Sequence, residues 1–162
     1  MSEGTPKSPA YKPRPGDVES PDAIIKAMYE TLSGPAGDRN WQRLRSLFME
    51  GAPLIPIAKP LQGGGEFQAL SVDEWIADAR DYLAENAFYE QEIMRKAFRF
   101  GDMLAAFSTY EARHEPDQAP IARGINSIQL LHHERRWWVV SLMWDIESKE
   151  LPLPEEFLPY LW

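Results

Sequence analysis

The stretch from Ala122 to Trp144 constrains the fold more than any other part of the chain. It reads Ala-Arg-Gly-Ile-Asn-Ser-Ile-Gln-Leu-Leu-His-His-Glu-Arg-Arg-Trp-Trp-Val-Val-Ser-Leu-Met-Trp. A run rich in β-branched and apolar residues enters a short polar turn at His132 to Arg135, and a second run, heavier in tryptophan, leaves it. Two long strands joined by a tight turn are a hairpin, and a hairpin of this length implies an antiparallel sheet.

Upstream, the periodicity changes from two to 3.6. Ser20-Pro21 is a helix start, with Ser as N-cap and Pro at the first helical position, and Ile24, Ile25, Met28 and Leu32 follow at helical spacing. Gly34-Pro35 ends that helix. A second begins after Asp38 with Trp41, Leu44, Leu47 and Phe48 on one face, and Leu54 to Ala58 reads as a short strand. Gly63 to Gly65 lack the following Gly-Lys-Ser/Thr of a phosphate loop and read as a flexible hairpin tip or pocket lip. Ser71-Val-Asp-Glu74 is a capping box, and Val72, Trp75, Ile76, Ala79, Tyr82 and Leu83 supply the stripe that the helix buries. Phe88 to Phe100 and Met103 to His114 form another hairpin about Gly101-Asp102, with Gly where a type II′ turn needs it.

Composition narrows the function classes. The chain has 162 residues and no cysteine, so it fits one domain with its own core and holds neither a disulfide scaffold nor a thiolate metal site. Its net charge of −8 disfavours nucleic acid and anionic membranes as partners. With no apolar run of signal-peptide or membrane-spanning character, a cytoplasmic protein is expected. Residues 1–19, with Pro6, Pro9, Pro13 and Pro15, read as a flexible tail, residues 20–148 as the folded domain, and the apolar residues 149–162 as a tail that packs on the domain or on a second copy. His132 and His133 share a turn with no third ligand nearby, so no metal and no cofactor is expected.

Two helices, a short strand, a third helix and four long antiparallel strands, with Met-Tyr-Glu-Thr-Leu before Gly37-Asp38, Leu47-Phe48 closing the next helix, and Arg136-Trp-Trp-Val-Val in the last strand, resemble the nuclear transport factor 2-like, or SnoaL-like, superfamily. The resemblance covers about Ser20 to Glu147. It implies an α+β, cystatin-like fold in which a curved antiparallel sheet wraps N-terminal helices into a cone, a container used by isomerases, cyclases, dehydratases and proteins that only bind or assemble. Under it, Tyr29 matches the pocket tyrosine of the isomerases, and it is either a hydrogen-bond donor to a ligand or simply core. The position of their base aspartate falls near Pro56, where no carboxylate stands, and that of their second oxyanion acid near Asn126 or Ser127.

Symmetric pairing about His133-Glu134 puts Gln129 opposite Trp138, Ser127 opposite Val140, Ile125 opposite Leu142 and Arg123 opposite Trp144 on the face toward the helices. The other face then carries Asn126, Ile128, Leu130, Trp137, Val139 and Met143, apolar enough to suggest a homodimer through the back of the sheet. In the first hairpin Glu92 falls across from Glu111. Either Arg113 or Arg123 balances the pair, or one carboxyl has a raised pKa and serves as acid or base, or the pair is solvated and bulge-shifted. The expected ligand site is therefore Tyr29, Arg123, Ser127, Gln129 and Trp144, with Arg123 paired to Glu111 or to an acidic ligand, and with Tyr29 and Glu111 as the candidates for catalysis. The expected function is binding of a small apolar molecule in the cone; the alternatives are a cyclase, isomerase or dehydratase, and an assembly module without a ligand.

Overall fold

Local capping builds the helices where the sequence signals them. In the computed structural model, which describes residues 11–57 and 67–160, helix α1 (Pro21–Leu32) starts with the Ser20 hydroxyl accepting from the Ala23 N–H at 3.0 Å. Helix α2 (Trp41–Leu47) is capped by Asn40, while Asp38 accepts the indole N–H of Trp41 at 2.7 Å. Helix α3 (Val72–Glu85) carries the full Ser71/Glu74 capping box. Gly63 to Gly65, Ala58, Pro6 and Pro9, and the final Leu161-Trp162 lie outside the described residues.

One five-stranded sheet receives the helices, in the order β1-β5-β4-β3-β2: β1 (Leu54–Pro56), β2 (Tyr89–Phe100), β3 (Met103–Arg113), β4 (Ala122–His133) and β5 (Arg136–Ile146). Only β1 runs parallel to its neighbour, so the sheet is mixed and mostly antiparallel, as expected of the α+β cone. The β2–β3 turn sits on Gly101, at φ 57°. The β4–β5 turn sits on Glu134 and Arg135, at φ 52° and 65°, one residue later than the symmetric pairing predicts.

That shift moves partners by two positions and keeps their faces, so two β-bulges decide which side chains face inward. In β5 the register slips between Leu130↔Val139 and Gln129↔Ser141, so Trp137 and Val139 before the bulge share the concave face with Leu142 and Trp144 after it. In β2 the slip falls between Glu92↔Tyr110 and Met94↔Thr109, which sets Glu92 across from Tyr110 and puts Gln91, not Glu92, across from Glu111. Glu92 and Glu111 therefore lie on opposite faces, and the expected like-charge pair does not exist. The residues expected on a dimerising back, Ile128, Leu130 and Val139, are 0%, 1% and 0% exposed in the core between sheet and helices; of that group only Met143 faces outward.

Flanking segments cover what the sheet leaves open. Asp17 accepts from Arg43 Nε and Nη2, at 2.8 and 2.9 Å, and the Val18 carbonyl accepts from Trp137 N–H at 2.9 Å, so the end of the segment expected to be a flexible tail packs on the domain. Along the outer face the C-terminal segment lies over β3: the Thr109 hydroxyl donates to the Phe157 carbonyl at 2.7 Å, and the Phe107 and Phe157 rings are 5.5 Å apart. Among the described residues no helix is long and apolar enough to cross a membrane.

Two outcomes follow from this register. Leu130→Asp or Val139→Asp buries an unpaired carboxylate in the core, so either variant should lose the cooperative unfolding transition in chemical denaturation instead of yielding a folded monomer. Glu134→Asn with Arg135→Gly supplies residues that accept positive φ, and should raise the denaturation midpoint, adding about 1 kcal/mol of stability.

Candidate functional site

Helix α3 buries less than its sequence stripe promises, and the reason is a cavity beneath it. Only Ile76 and Leu83 are fully buried, and Tyr82 is 47% exposed. Trp75, Ala79 and Leu83 from α3, Met28 from α1, Leu44 from α2 and Phe48 just past its end, and Leu142 and Trp144 from β5 line a half-open space of about 240 Å³ inside the cone. This lies just below the roughly 300–1,000 Å³ typical of ligand pockets, a size for one or two rings. A wider groove of about 600 Å³ lies between α1 and β2, but its principal cations are already paired: Arg95 with Glu92 and Asp22, and Arg113 with Glu111 at 2.6 Å. The apolar cavity is the better candidate for a ligand.

Apart from the largely exposed Tyr82, three side chains with titratable or amide groups interrupt its apolar wall: Glu90, Tyr110 and Asn126. Glu90 is held by its backbone. The Ser33 hydroxyl, just past the end of α1, accepts from the Glu90 N–H at 2.9 Å and lies 3.1 Å from the Glu90 carbonyl, while Gly34 and Phe88 exchange two backbone hydrogen bonds beside it. The carboxyl so placed accepts from Asn126 Nδ2 at 3.2 Å. Burial in the apolar wall pushes its pKa up from 4.5 to about 7, against the opposing pull of the Asn126 bond. Burial, and then the nearby Glu90, raise the phenol pKa of Tyr110 as well.

Gly124 makes room for the Tyr110 phenol. A Cβ there would lie 2.6 Å from Tyr110 Oη and 2.3 Å from the Asp145 carbonyl oxygen, so only glycine fits.

Of the residues expected at the site, Trp144 reaches the cavity wall. Tyr29 is buried and borders the groove between α1 and β2, not the cavity. Its hydroxyl lies 2.6 Å from Ser108 Oγ and accepts from Asn126 Nδ2 at 3.0 Å, which uses it structurally. Arg123, Ser127 and Gln129 lie on the outer face, because the β5 bulge reverses the predicted alternation between the strands. Arg123 donates through Nε and Nη2 to Glu147, at 3.0 Å each, and not to Glu111 or into the cone. Gln129 accepts from the Ser141 hydroxyl at 3.0 Å, and Ser127 stands across from Phe107 and Met143. Glu111 is paired to Arg113 on the outer face and does not reach the cavity.

Sequence reasoning missed Glu90 and Tyr110, and assigned Asn126 to the outer face. A mid-strand glycine at Gly124 was the available signal for Tyr110, since it marks a close approach by another group. Nothing comparable distinguishes Glu90 from a solvated strand glutamate.

The Glu90 environment predicts a pH dependence with a definite sign. Folding raises this carboxyl's pKa, so its neutral form is favoured in the native state; the contribution is fully present below about pH 4.5 and is lost as pH rises through about 7. Above that range the ionised group destabilises the fold by up to about 3 kcal/mol. Glu90→Gln should match the wild type near pH 4 and exceed it near pH 8.5, to be read from urea denaturation across a pH series.

No family model and no curated protein matches the sequence. Solved structures do match. A nuclear transport factor 2-like protein of unknown function from Silicibacter pomeroyi is 20% identical, covering 78% of this chain and 92% of its own, with a TM-score of 0.55. Another of unknown function, from Pseudomonas putida, is 9% identical over 85% of this chain and 93% of its own, with a TM-score of 0.60. A candidate dehydratase of the same family from Streptomyces avermitilis is 14% identical over 82% of this chain and 96% of its own, with a TM-score of 0.58. Likeness at these identities establishes the fold alone.

Proposed function

We propose that this chain, which has the nuclear transport factor 2-like fold, binds a small, neutral, largely apolar molecule of one or two rings inside its cone. The observation that carries this reading is a half-open apolar cavity in which Glu90, Tyr110 and Asn126 converge, the only other titratable side chain among its described lining residues being the largely exposed Tyr82. Apolar walls supply affinity through desolvation, and the few polar groups set orientation. An acidic ligand is disfavoured, since it would face Glu90 and no cation stands among the described residues that line the cavity. The open space also argues against a pure assembly module, whose cone would be filled by side chains.

One feature favours a second reading, an enzyme. A carboxyl with a pKa near 7 in an apolar site is suited to move a proton at neutral pH, and the candidate dehydratase among the structural relatives makes proton transfer the chemistry to test. In that reading Glu90 is the acid or base, in place of the absent carboxylate at Pro56.

Binding can be tested with tetralin, an uncharged two-ring hydrocarbon. It should quench tryptophan fluorescence saturably, because Trp75 and Trp144 form part of the wall, and it should raise the melting temperature. Ala79→Phe fills the space from α3 and should abolish both responses while the protein stays folded. Unsaturable quenching in the wild type would defeat the proposal.

A further inference from the structure

A chain of hydrogen bonds runs from the cavity floor, through the core, to the groove between α1 and β2. Its outer end is Glu92, clamped by Arg95 through Nε at 3.0 Å and Nη2 at 2.8 Å. A carboxylate in that clamp only accepts, so the Ser108 hydroxyl donates to Glu92. With its one proton committed, Ser108 Oγ must accept from Tyr29 Oη, 2.6 Å away. Tyr29 Oη, its own proton now spent, must accept in turn, and Asn126 Nδ2 donates to it at 3.0 Å. The second Nδ2 hydrogen goes to Glu90 at 3.2 Å. Reversing the Asn126 amide would turn an acceptor toward Tyr29 and leave that hydroxyl's proton contested between two oxygens, with the 2.6 Å contact to Ser108 unsupported.

One atom of Asn126 is left over. Its Oδ1 receives no hydrogen bond from any described residue, and no described side-chain N or O is both sealed from solvent and without a partner, so Oδ1 opens on the cavity that Asn126 lines.

We infer that Ser108 and Glu92, which do not line the cavity, fix Asn126 with its carbonyl oxygen toward the ligand, and that the cavity therefore selects neutral molecules carrying a hydroxyl over the corresponding ketones. A ligand hydroxyl donates to Asn126 Oδ1. A ketone oxygen at the same place sets acceptor against acceptor and leaves Asn126 Oδ1 desolvated without a proton. The hydrogen-bond direction is opposite to that of an oxyanion hole, which needs donors aimed at the ligand oxygen. Ser108 and Glu92 act through Asn126 and are positioning residues. This inference rests on the binding reading given above, and the test separates the two.

2-Indanol and 2-indanone are a matched two-ring pair, and indane is their apolar parent. Binding is measured by calorimetry near pH 5.5, where Glu90 is mainly neutral and offers its proton to either oxygen. Wild type should bind the alcohol about tenfold more tightly than the ketone. Ser108→Ala releases the Tyr29 proton and frees the amide to turn, so the alcohol-to-ketone ratio should fall to near one or invert. A merely structural role for Ser108 would weaken both probes together and leave the ratio unchanged. Tyr29→Phe removes the acceptor that orients Asn126, should lower the same ratio, and carries the test if Ser108→Ala does not fold. Equal affinities in the wild type, or a ratio that survives both substitutions, would overturn the inference even with indane still bound. Failure of all three probes to bind would instead overturn the binding reading on which it stands.

Discussion

A strand has two faces, so the position of every side chain in this cone depends on where the alternation is interrupted. It is interrupted twice. The bulge in β5 lets Val139 and Leu142 point the same way, and the bulge in β2 does the same for Glu92 and Arg95. Without the first, the residues that fill the core near the turn and those that line the cavity farther along could not belong to one surface. Without the second, Glu90 and Glu92 would share the concave face only at the expense of Arg95, which clamps Glu92 from that same side. Bulges also bend the strands that carry them, and so contribute to the curvature that leaves room inside the cone.

Much of the fold was legible because its punctuation is chemical. Ser20-Pro21, the Ser71/Glu74 box and Gly101 each do locally what their residue types favour, whatever the rest of the chain does. The register of the last hairpin was not legible, for two reasons. Glu134 and Arg135 adopt positive φ without glycine or asparagine to announce it. Around the bulge, Trp137, Trp138, Val139 and Val140 are all apolar, so the sequence carries no inward-outward contrast from which a change of phase could be read. The site inherited this error: Trp144 lies beyond the bulge and was placed on the concave face, whereas Arg123, Ser127 and Gln129 were placed on it wrongly.

Polar groups enter the cone in two different roles, separated by how completely their hydrogen-bonding capacity is used. Tyr29 and Ser108 in the core and Glu92 at the edge of the groove satisfy one another, which makes them part of the scaffold despite their chemistry. Glu90, Tyr110 and Asn126 retain unused atoms against an apolar wall. A tyrosine matched to a family's pocket tyrosine can thus lie within a few ångströms of a cavity and still offer it nothing, because its one proton is already assigned.

The thin contact made by α3 has a kinetic side. This helix is tied at its ends, by Arg45 to Asp73 at 2.6 Å and by the Gly37 N–H to the Leu83 carbonyl at 3.1 Å, while the middle of its inner face stands over empty space. The apolar area lost by lifting it is small compared with that of α1, whose Ile24, Ile25 and Met28 are sealed in the core. Exposing the interior through α3 therefore requires less free energy than global unfolding, and its amides should be the first helical amides to exchange with solvent. The same vacancy that makes the cone a container makes this wall its natural point of entry.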